Sequence, residues 1–147
     1  MLHTYYSVAA LNFVAFAAFF TVFLFSIRKK SRATWNLAIA FTFYSSMGVV
    51  YFFSAAYDDP SLAFHRWQTV LGTFFGCLFL GMFFLSFPRP VRGWIYWLYF
   101  GIVSVLATLL TANFAWQTLE APREFRFAGH YWDFAADKAS LFVARPL

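Results

Sequence analysis

The chain has 147 residues, of which 62% are hydrophobic and 25% aromatic, while only 12% are charged. A soluble domain carries about 25% charged residues, so this composition cannot coat a water-exposed surface, and it places the chain in the membrane class. The formal net charge of +5 fits that class. The cations fall between long apolar blocks, where they set orientation, and nucleic acid is not an expected partner.

The first apolar block covers residues 5–27 and contains "FVAFAAFFTVFLF". A cleaved signal peptide would start with a basic region and hold an apolar core of about 7–15 residues. Here "MLHT" has no Lys or Arg and the core is longer, so a retained helix is expected. Then Arg28, Lys29, Lys30 and Arg32 arrive together, after a segment with no charged side chain at all.

The second, third and fourth spans are expected at residues 34–57, 67–87 and 93–113. Each reaches the roughly 20 residues that cross a bilayer as helix. Barrel strands would alternate over about ten residues, whereas "GTFFGCLFLGMFFLSF" is continuously apolar. Pro60 follows the second span, and Pro88 and Pro90 close the third, as proline punctuates helix ends. Trp35, Trp67, Trp94, Trp97 and Trp116 sit near span ends, as an interfacial belt requires. Residues 1–119 are thus expected to form an all-α polytopic bundle of four transmembrane helices.

Within the third span, Gly72 and Gly76 make a small-xxx-small pair that lets two helix backbones approach. They are expected to form a packing face, against another helix of the same chain or across a homodimer. The single cysteine, Cys77, excludes an intramolecular disulfide and reads as a small apolar packing residue.

Residues 120–147 carry charges throughout and cannot span. "EFRF" and "YWDF" flank "AGH", which suggests a short hairpin. "ASLFVARPL" then turns apolar again, as if approaching a fifth helix of a longer protein.

Orientation follows from Lys and Arg in short loops. Arg28, Lys29, Lys30 and Arg32 in one loop and Arg89 and Arg92 in another face no acid, whereas the remaining five cations share their segments with all six acids. The six are expected to form a cytoplasmic anchor, with the N-terminus and the 120–147 segment outside.

Candidate chemistry is sparse. No Asp, Glu, Lys or Arg falls within the expected spans, which argues against an ion-coupled transporter. No phosphate-cradling, nucleophile-elbow or zincin motif occurs, so no enzyme activity, metal or cofactor is expected. His3, His65 and His130 all fall on the outward side, which leaves a haem- or metal-binding redox protein as one alternative. The other reading of the "HRWQ" stretch is a polar rim to an outward ligand pocket, with Arg66 favouring an anion. His65 and Gln68, at i and i+3, share a helix face and are expected to point into the bundle, with Arg66 nearer the headgroups.

The order of these pieces resembles the N-terminal seven-helix membrane region of bacterial sensor proteins of the histidine kinase and nucleotide cyclase type. The likeness rests on the first span closed by "RKKSR", the "FHRWQ" start of the third, its "FPRP" end, and the run "LLTANFAWQ" into a mixed outer segment. It implies the first four helices of seven, a bacterial inner membrane location, and a sensing or anchoring role for an output domain that no residue here matches. The alternative without that resemblance is a small accessory subunit of a membrane complex. In either case the partners are lipid and further transmembrane helices.

Overall fold

The computed structural model describes residues 5–57, 59, 65–120, 124–127, 129 and 132–135. Four helices form in chain order: α1 Tyr5–Ser26, α2 Arg32–Ala56, α3 His65–Phe84 and α4 Gly93–Glu120. All four are long and apolar enough to cross a membrane. At 1.5 Å per residue the shortest reaches about 30 Å, the thickness of the hydrocarbon core.

The ends have local causes. Ser31 caps α2, its side chain accepting from the Thr34 N–H, so α2 starts at Arg32 rather than at residue 34. α3 starts two residues earlier than expected, at His65, and stops at Phe84 rather than at residue 87. Its last carbonyls are taken up by the turn, where Leu85 N donates to Gly81 O and Ser86 N to Phe83 O. α4 runs to Glu120, past the expected end at residue 113. Its extra turns mix Phe114 and Trp116 with polar residues, Gln117 donating to Asn113 at 3.1 Å.

Consecutive helices pack on one another, and α2 lies between α1 and α3. This explains the texture of α2. Its buried positions include Ala38, Ala40, Gly48, Ser54, Ala55 and Ala56, small side chains that admit a helix on either side. Aromatic rings fill what remains: Phe20 stacks on Phe41 at 5.3 Å between α1 and α2, and Phe43 stacks on Phe75 at 5.8 Å between α2 and α3. α3 meets α4 through Leu78 and Met82 against Tyr96 at one end, and through Val70 and Trp67 against Phe114 at the other.

α1 and α4 keep large apolar faces exposed, with Phe16, Phe19 and Phe23 on α1 and Ile102, Leu106 and Leu109 on α4. Trp35, Trp94, Trp97 and Trp116 are exposed at helix ends, whereas Trp67 turns inward to an edge contact with Phe114 at 5.2 Å.

Beyond α4, β1 Glu124–Phe127 and β2 Trp132–Ala135 pair antiparallel, Phe127 opposite Trp132. Gly129 adopts φ 85° between the strands, a conformation that costs glycine little. β2 contacts α2. His3, His130 and the "ASLFVARPL" stretch lie outside the described residues.

Candidate functional site

Each end of the bundle carries a polar cluster. At the end where α2 finishes and α3 begins, the His65 ring is only 2% exposed and lies 4.9 Å from the Tyr51 ring. Thr69 Oγ1 sits 2.7 Å from the His65 carbonyl and 2.9 Å from the Tyr51 hydroxyl. Gln68 Nε2 donates to Ser46 Oγ on α2 at 2.8 Å, and Ser46 donates in turn to the Phe43 carbonyl at 2.8 Å.

His65 and Gln68 therefore share the face that packs on α2, and Arg66 is half-buried beside them. The Gln68 amide is used to hold α3 on α2. A groove of about 260 Å³ opens next to the cluster, lined by Tyr6, Phe13, Met47, Gly48 and Tyr51. Tyr51 is the link, since it lines the groove, faces His65, and lies 6.3 Å from the Tyr6 ring of α1. His65, Arg66 and Gln68 do not line it.

Gly72 and Gly76 lie further along the same face. A Cβ on Gly72 would meet Met47 Cβ at 3.2 Å, and one on Gly76 would meet the Tyr44 ring at 2.8 Å. Both glycines are buried against α2 of their own chain, so this face is closed to a second copy. Cys77 departs from its expected packing role: it is exposed, its thiol 3.8 Å from the Tyr44 hydroxyl. The helical turn that buries Gly76 points its neighbour outward.

At the opposite end, the two basic loops come together. A cavity of about 230 Å³ is lined by Ser31, Arg32, Leu85, Ser86, Val91 and Tyr96, among others. Arg28, Lys29, Arg32, Arg89 and Arg92 are exposed, and Lys30 is half-buried. Lys30 donates to the Ile27 carbonyl at 2.7 Å and sits 5.2 Å from the Trp35 ring centre. The Arg32 guanidinium lies over the Tyr96 ring at 5.9 Å. Beneath it, the Asn36 amide, 6% exposed, donates to the Tyr96 hydroxyl at 3.1 Å. Asn36 and Tyr96 escaped the sequence reading. The available signal was an amide one helical turn from Arg32 at the mouth of a span, where a buried polar group needs a partner.

Among the described residues, no group of three His, Cys, Asp or Glu side chains is placed to hold a metal ion. Comparison with protein-family models, with characterised proteins and with solved structures returns no match.

Proposed function

We propose that this chain is the membrane-embedded sensory or anchoring module of a bacterial signalling protein, with its basic end at the cytoplasmic face. The observation that supports it best is the α2–α3 seam. That seam is polar at the His65 end, where Gln68 reaches Ser46. It is glycine-packed further along, at Gly72 and Gly76. α3 then leads directly into the basic loop at Leu85. A stimulus that changes packing at the His65 end would move α3 and reach the basic end without a separate relay. Such a stimulus acts only through its differential affinity for two packings.

Coupling between the ends tests this. In a Cys77→Ser background, Ser31→Cys and Ser86→Cys place two thiols around the basic-end cavity. Their rate of joining by a short bis-maleimide, in lipid nanodiscs, should change by about fivefold when Gln68 becomes Leu. An unchanged rate would leave the bundle without end-to-end coupling.

The accessory-subunit reading draws on the exposed apolar faces of α1 and α4. It expects no coupling, and instead a stoichiometric membrane partner that co-purifies with the chain in mild detergent.

A further inference from the structure

We propose that the cavity between the two basic loops is a binding site for a phosphate group, presented by an anionic phospholipid or by a soluble phosphate. The proposal rests on the reading that this end lies at the membrane surface. Its observations concern the cavity itself.

The cavity lies between the loop after α1 and the loop after α3, and Arg32 is part of its wall. Arg32 is held over the Tyr96 ring, and Tyr96 is in turn fixed by the buried Asn36 amide. A guanidinium placed in this way is positioned before any ligand arrives, and its planar fork suits phosphate oxygens. Arg28, Lys29, Arg89 and Arg92 are further exposed cations of the same two loops. No acid occurs between Met1 and Tyr57 or between Pro60 and Leu119, so neither loop supplies a carboxylate to neutralise them.

The backbone adds to this. The cavity is lined by Arg32 and Ala33 at the start of α2 and by Gly93 at the start of α4. The first N–H groups of a helix lack intrahelical partners, and both helices turn their positive ends here. A Cβ placed on Gly93 would meet nothing within 4 Å, so that backbone is open to approach. Leu85, Pro90 and Val91 complete the wall. They give an apolar flank of the kind a glycerol backbone and the start of an acyl chain require.

The test uses the purified full chain in neutral detergent, titrated with short-chain phosphatidylglycerol, phosphatidylcholine of the same chains, and inorganic phosphate, with binding read by native mass spectrometry. Phosphatidylglycerol should bind about tenfold more tightly than phosphatidylcholine. Arg32→Gln should lower that affinity about tenfold, and Arg32→Lys, which keeps the charge but not the fork, should fall between. Arg28→Gln, outside the cavity wall, should cost no more than about threefold. Displacement of the lipid by inorganic phosphate at matched concentration would assign the site to soluble phosphate. Equal binding of the two lipids by the parent, with no binding of inorganic phosphate, would overturn the proposal whatever the variants do. So would Arg32→Gln with intact fold and unchanged affinity. Loss of end-to-end coupling in the cross-linking experiment would leave these affinities untouched, so the two readings fail separately.

Discussion

Gln68 on α3 donates to Ser46 on α2, and the Ser46 hydroxyl donates its own hydrogen bond to the Phe43 carbonyl. Removing the amide therefore leaves no orphan on α2, because the Ser46 hydroxyl keeps an acceptor. Gln68→Leu should cost only the interhelical bond itself, about 0.6 kcal/mol and at most about 1.7 kcal/mol. A double-mutant cycle with Ser46→Ala, read by thermal unfolding in detergent, should return a coupling in that range. A coupling of zero would mean the bond is not formed in solution.

The Asn36–Tyr96 pair behaves differently. Both side chains are buried, at 6% and 9% exposure. Tyr96→Phe deletes the hydroxyl that meets Asn36 Nδ2 at 3.1 Å and leaves a buried amide unsatisfied. The expected loss is about 1–3 kcal/mol. Asn36→Leu combined with Tyr96→Phe should recover much of it, because both polar partners are then gone. A Tyr96→Phe protein as stable as the parent would show that Asn36 finds water or another partner.

The four helices were legible because an apolar run of bilayer length has few other structures open to it. The ends were less so. Ser31 caps α2 ahead of its apolar stretch, and hydropathy does not register a cap. α4 continues past residue 113 through Gln117 to Glu120, polar residues that a lipid-length criterion discards although Gln and Glu are good helix formers. The pairing of His65 with Gln68 on one face followed from helical spacing alone. Which helix that face meets did not, since sequence order does not say whether α3 turns toward α1, α2 or α4. For the same reason Gly72 and Gly76 were visible as a packing face but not as one covered by Tyr44 and Met47. Tyr96 stayed hidden among eight tyrosines, because nothing in its neighbours marks the one that meets Asn36.

Glycine substitutions should separate by position. Gly76→Leu drives a side chain into the Tyr44 ring and should destabilise by about 1–3 kcal/mol. Its oligomeric state should match the parent's, since the partner is in the same chain. A Cβ on Gly81 would meet the Tyr99 ring, so Gly81→Ala should also cost stability by displacing α4. Gly101 has nothing within 4 Å of such a Cβ, and Gly101→Ala, inside α4, should stabilise by about 0.5–1 kcal/mol. Thermal unfolding and gel filtration in detergent check all three. A Gly76→Leu protein that loses a dimer but keeps its monomer stability would move the glycine face to a subunit contact.

Everything proposed for the two ends depends on which side of the membrane each occupies, and one measurement addresses that directly. In a Cys77→Ser background, single cysteines at Ser31, between the basic loop and α2, and at Asp59, beyond the other end of α2, are both exposed positions. Intact bacterial cells expressing each variant are treated with a membrane-impermeant maleimide, before and after lysis. The account predicts labelling of Asp59→Cys in intact cells and of Ser31→Cys only after lysis. Labelling of Ser31→Cys in intact cells, with Asp59→Cys protected until lysis, would contradict it.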